Sequence, residues 1–243
     1  MMLLLIFNTA MIPLYYVWFA WASAFLIPWA IIFYAFPHHR KTMWTVSLAT
    51  APFGLTEPLF VPEYWNPPTL FDLAQRTGFD LESLIFCFGI GGVTSVLYSV
   101  LTHRNDIPVP EAEKRLPLHR HHYKALTSPF IAFLLLYFLP WNPIYPSITA
   151  MAVGAILCRP DLKTKTWVGG VLFLVYYFVF FLALEVSSPN YAQQVWNLPD
   201  ISGILLLGTP LEELLFAFAF GLYWSGVYEH LMWRKIDSPH VHD

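Results

Sequence analysis

Charge is what this 243-residue sequence has least of. Asp, Glu, Lys and Arg make up 12% of it, about half the ~25% of an ordinary soluble domain. So few charges cannot cover a soluble globule of this size. Cationic charge is scarce too. Thirteen Lys and Arg against sixteen Asp and Glu, net −3, leave no basic field for nucleic acid. The two cysteines, Cys87 and Cys158, sit in apolar runs. They make no disulfide framework and fit inert core thiols. The sequence has no His-Glu-x-x-His, no Gly-x-Gly-x-x-Gly after a strand and no Walker motif. That excludes a zinc metalloprotease and a built-in nucleotide fold, and no cofactor or metal is expected. No basic segment precedes the first apolar stretch, so a signal peptide is not expected either.

What is present is apolar: 57% hydrophobic, 18% aromatic, mean hydropathy +0.53. Long, nearly charge-free runs predict membrane-spanning helices rather than the alternating strands of a barrel. The expected fold class is all-α, a multi-pass membrane helical bundle with seven segments at 10–36, 43–62, 81–102, 127–139, 145–158, 167–186 and 204–229. Twelve of the thirteen basic residues fall at 37–42, 103–126, 159–166 and in the C-terminal tail; only Arg76 lies opposite. The positive-inside rule then places the N-terminus outside and the C-terminus in the cytoplasm, in an inner cell membrane.

The chain also resembles itself at an offset of about 130 residues. Trp65-Asn66-Pro67-Pro68 followed by Gly78-Phe79-Asp80-Leu81-Glu82-Ser83-Leu84 is matched by Trp196-Asn197-Leu198-Pro199 followed by Gly208-Thr209-Pro210-Leu211-Glu212-Glu213-Leu214. Two pseudo-symmetric three-helix repeats joined by an extra span are expected, with 1–126 as the first repeat and its linker (103–126), and 127–243 as the extra span and the second repeat, in one integrated membrane domain. Acids from the two halves would then face one central cavity.

The acids within or at the outer ends of apolar spans are the candidate catalytic groups: Glu57, Glu82, Glu185, Glu212 and Glu213. Ionisable side chains at membrane depth are functional candidates by default. A desolvated Glu that keeps its proton can act as an acid. The structural reading is that Asp80 caps the third span and that Thr209-Pro210-Leu211-Glu212 forms a capping box. All nine histidines lie in cytoplasmic loops or at inner span ends, and His119-Arg120-His121-His122 reads as a solvated basic loop. Aromatic faces of Phe86, Phe216, Phe220, Trp224, Trp65 and Trp196 could bind substrate and stabilise a carbocation. A retinal protein is excluded because the last span has no Lys. A prenyl-type protease is excluded because Ala217, Phe218 and Ala219 follow the paired acids.

At Pro210-Leu211-Glu212-Glu213-Leu214-Leu215-Phe216 the sequence resembles the membrane lycopene cyclase family, found as two small subunits in some bacteria, one fused chain in archaea and half of a bifunctional fungal protein. Glu57 with Trp65-Asn66-Pro67, and Glu185 with Trp196-Asn197, are similar to the family's upstream patch. The first half reads Asp80-Leu81-Glu82-Ser83, without the Pro and the second Glu. The resemblance implies cofactor-free, non-redox ring closure on a membrane-dissolved, lycopene-like isoprenoid. Glu212 and Glu82, the acid position retained in both copies, are the first candidates. Glu213 follows, with Glu57 and Glu185 as partners. The alternatives are a related hydratase or terpene cyclase, and a proton-coupled transporter or lipophile-binding protein.

Overall fold

The computed structural model describes residues 12–119 and 122–237. Arg120, His121, His240 and His242, and the start of the first expected span, lie outside the described residues. The described residues are mostly helical (73%, 3-10 turns included). Among the described residues three segments are long and apolar enough to cross a membrane: Leu14–Ala35, Leu81–Thr102 and Pro160–Ser187. The first is α1 (Leu14–Ala24) and α2 (Leu26–Ala35), broken at Phe25. The short α4 (Leu73–Thr77) precedes α5 (Leu81–Thr102), and α8 (Lys163–Ser187) fills most of the third segment. Outward-facing Val168, Val171, Val175 and Val179 on α8 form an exposed apolar stripe at helical spacing. Such helices fit a membrane protein.

The second expected span, 43–62, is not one α-helix. α3 (Arg40–Thr50) passes directly into a 3-10 helix over Ala51–Leu59. Pro52 and Pro58 carry no N–H for the α ladder, and Pro58 sits inside the segment, so the chain continues in the tighter form. The fourth and fifth expected spans fall on α6 (Lys124–Tyr137) and α7 (Ile144–Ile156), which pack on each other and are shorter than a full crossing. The short α9 (Tyr191–Val195) follows α8.

The last helix, α10 (Leu211–Leu231), begins later than the expected 204. Residues before it fold into a small hairpin of Leu205–Leu206 against Thr209–Pro210. Leu207 (φ 51°) and Gly208 (φ 87°) turn it. At Gly208 an added Cβ would lie 2.9 Å from the Glu185 side chain, so the close approach requires glycine as well. The capping box does not form. Pro210 is the N-cap, Thr209 Oγ1 has no partner, and Glu212 bonds elsewhere. Asp80 does cap α5, accepting from Ser83 N.

α10 is the central helix. It packs on α8, α7 and α5, and every residue from Ala219 to His230 is buried. An added Cβ on its Gly221 would meet Gly170 Cα of α8 at 2.8 Å. Small residues let the two backbones close up, as they do between helices in lipid. Lys165, one of the basic residues of the expected 159–166 loop, is helical and buried. It lies in the first turn of α8, buried, and donates to Glu229 of α10 and to Ser95 O of α5 (3.1 Å). A buried cation needs such a partner. His119 and His122 are likewise buried rather than solvated. The His122 ring stacks on Trp233 (3.8 Å between centroids). Burial pushes both imidazoles below the ordinary histidine value. Linker strand Asp106–Pro108 pairs antiparallel with Arg234–Ile236, tying 103–126 to the chain's end.

Candidate active site

The loop before α4 and the loop after α9 meet main chain to main chain. Trp65 and Trp196 form an antiparallel bridge. Asn66 N donates to Val195 O (2.8 Å) and Asn197 N donates to Tyr64 O (2.9 Å). The indoles of Trp65 and Trp196 lie 5.2 Å apart. Beneath this bridge is a cavity of ≈ 420 Å³, within the ~300–1,000 Å³ range of small-molecule sites. Phe86, Phe216, Phe220, Trp224, Trp65 and Trp196 all line it, with Trp18, Tyr64, Tyr177 and Ile90. Two carboxyl groups reach it, those of Glu57 and Glu213.

Glu213, in the first turn of α10, is held by three donors. Tyr64 OH and Trp196 Nε1 (3.0 Å) donate to Oε1, and Tyr177 OH donates to Oε2. Three donors converging on one carboxylate complement negative charge. Glu57 is buried in the 3-10 segment. Its Oε2 accepts from Ser83 Oγ (3.0 Å), and its Oε1 has no partner. One acid has both oxygens bonded, and the other has one oxygen, Oε1, buried without a partner at the edge of the chamber.

The other three candidate acids lie outside the cavity lining and brace loops. Glu82 Oε1 accepts from Leu70 N (2.7 Å). Glu212 Oε1 accepts from Ser202 N (2.9 Å) and Tyr145 OH (2.7 Å). Each therefore grips the loop that leads into its own helix, and each leaves Oε2 without a partner. Glu185 accepts from Asn190 N (3.1 Å) and Ala192 N (2.9 Å), closing the turn after α8. The five acids are thus split, Glu57 and Glu213 at the chamber and Glu82, Glu212 and Glu185 around it.

Residues 142–231 match the family model described as lycopene cyclase. The match covers just over a third of the chain and spans α7 to α10, including Tyr177, Trp196 and Glu213. No curated protein and no solved structure matches the chain.

Tyr64, Tyr177, Tyr145 and Ser83 are site residues that sequence reasoning did not single out. Tyr64 had a signal, its place beside the repeated Trp-Asn patch. Ser83 had one too, since it occupies in the first half the position of Glu213 in the second. Tyr177 and Tyr145 sit in aromatic runs with nothing to mark them.

Proposed function

We propose that this chain is a membrane-embedded, redox-neutral cyclase that closes a ring on the end group of a lycopene-like polyene. The observation that carries the reading is the cavity itself. Its aromatic and aliphatic wall is interrupted by two carboxyl groups in unlike environments. Glu57, as the neutral acid, delivers its proton from the free Oε1 to the terminal C=C. Positive charge then sits on a tertiary carbon. The neighbouring double bond attacks that carbon, a C–C bond closes the six-membered ring, and the charge moves to a ring carbon. Loss of a ring proton to Glu213 restores a double bond. One proton enters and one leaves, so substrate and product are isomers and no oxidant is required. The two acids exchange the proton once the product departs.

The wall suits this chemistry. Faces of Trp18, Trp65, Trp196 and Tyr177 attract a cation without reacting with it. An apolar chamber keeps out the water that would quench the cation. Tyr64, Trp196 and Tyr177 hold the Glu213 carboxylate where that charge develops. Glu212, Glu82 and Glu185 act on this reading by holding the outer loops in place.

The same reading includes seven crossings with the N-terminus outside, and two related three-helix units. The distribution of basic residues supports the orientation. The reciprocal bonds of Asn66 with Val195 and of Asn197 with Tyr64 support the repeat, because positions 66 and 197, like 64 and 195, are 131 apart. The partners are the bilayer and its dissolved polyene.

The test is expression in lycopene-making cells followed by chromatography and mass measurement. A new cyclic carotenoid of unchanged mass is expected. A product heavier by one water would make the chain a hydratase, and unaltered lycopene would overturn the reading.

A further inference from the structure

The cavity wall is thin at one place. Of the residues that line it, only Phe53 and Phe130 are also exposed on the outside, at 38% and 57%. Their rings face each other with centroids 6.1 Å apart and planes 31° apart. Phe53 also meets Trp224 edge-on at 5.6 Å, and the Trp224 indole lines the interior. The two phenylalanines come from separate walls. Phe53 lies on the 3-10 segment, which is anchored at Gly54, where an added Cβ would lie 2.5 Å from Leu84 N of α5. Phe130 lies on α6, which is anchored on its other side against α7, with Pro129 packed over Gly154. Each wall is packed against a neighbouring helix, and the two rings face each other between the walls. Beyond the gap α6 continues outward as Ile131, Leu134, Leu135 and Phe138, all exposed.

A carotenoid-length polyene trails a long chain behind its end group, and a gap beside the cavity gives that chain a way out while the end group is inside.

We propose that Phe53 and Phe130 form a lateral gate. The end group passes between them from the bilayer, and during the reaction the rest of the polyene lies in the gap and runs out along α6. The identity of the end group rests on the cyclase reading; the gate does not. The occupant is a flat conjugated hydrocarbon because both jambs are aromatic rings and the outer path is wholly apolar. A short isoprenoid carrying the same end group fits inside and leaves the gap empty.

The test uses the full chain in lipid nanodiscs, with Cys87→Ser/Cys158→Ala as parent. Phe53→Cys/Phe130→Cys is added and bridged by a short bis-thiosulfonate linker that reductant removes. Uptake of lycopene is followed by quenching of the cavity tryptophans, and product by chromatography. Bridging is expected to slow quenching at least ten-fold, and reduction to restore it. Quenching at the unbridged rate with the linker in place would overturn the gate. If uptake is gated but no state yields a ring, the gate stands and the cyclase falls. If rings form at equal rates bridged and unbridged, the cyclase stands and the gate falls. Should the double variant not fold, Phe130→Trp serves. It should lower the ratio of lycopene uptake to short-isoprenoid uptake at least five-fold, with Val175→Trp on the exposed stripe of α8 as control. An equal drop in both variants, or none in Phe130→Trp, overturns the gate.

Discussion

The first turns of α5 and α10 share one contact and differ in others, Asp80 capping the first and Pro210 leading the second without a side-chain cap. Both begin after a loop closed by the Trp65–Trp196 bridge, and both use a Glu, at 82 or 212, to hold the backbone of the preceding loop. One residue later they diverge. Ser83 gives its hydroxyl to Glu57, whereas Glu213 enters the chamber under three donors. On the proposed reading, the shared contact serves folding and the position that differs serves the reaction. On this account the chamber processes one end group at a time, because only one half supplies a carboxylate there.

Variants can break that comparison at several strengths. The largest effect is expected at the position that differs. Glu213→Gln should lower turnover by about 10³-fold, within the ~10²–10⁴ that proton transfer contributes, and Glu57→Gln should fall in the same range, with both proteins still folded in the membrane. Pigment yield against protein level measures this. At the shared position the loss should appear in stability. Glu212→Gln and Glu82→Gln each weaken a charge-assisted bond to a loop N–H and should cost about 1–3 kcal/mol, read as a lower melting temperature in detergent, while turnover falls less than about ten-fold. A smaller change tests the donors. Tyr177→Phe removes one of three, and a loss of ~1.4 kcal/mol corresponds to about a ten-fold slower reaction.

The smallest effect lies at the inner end and sharpens the contrast between the two ends. His119 and His122 are held below the ordinary value of 6.5 by burial. Below that value the unfolded chain takes up protons that the folded histidines refuse, so stability is flat above it and falls as pH drops through it. Melting temperature should fall by a few degrees between about pH 7.5 and about pH 5.5. His122→Phe, which keeps a ring on Trp233, should shrink that fall.

Much of this was legible in the sequence, for physical reasons. The third span, read as 81–102, is α5, because Asp80 is a strong cap and the run after it is unbroken. The Trp-Asn repeat pointed to two related loops. Their pairing with each other was not visible, since a backbone bridge carries no side-chain signature. The second span misled because hydropathy is blind to Pro52 and Pro58, which turn its outer half into the 3-10 wall holding both Glu57 and Phe53. Retention in both copies favoured Glu212 and Glu82 over Glu213. Burial and chemistry look alike in sequence, and only side-chain direction separates two neighbours about 100° apart on one helix turn. Phe53 and Phe130 meet only in the folded chain.

One head-to-head measurement bears on the central claim. Glu213→Gln and Glu212→Gln are expressed side by side in lycopene-making cells, with cyclic product normalised to folded protein. The account expects Glu213→Gln to accumulate unaltered lycopene at near-normal stability, and Glu212→Gln to form rings from a less stable protein. Ring formation at the parent rate by Glu213→Gln, with none from folded Glu212→Gln, would contradict it.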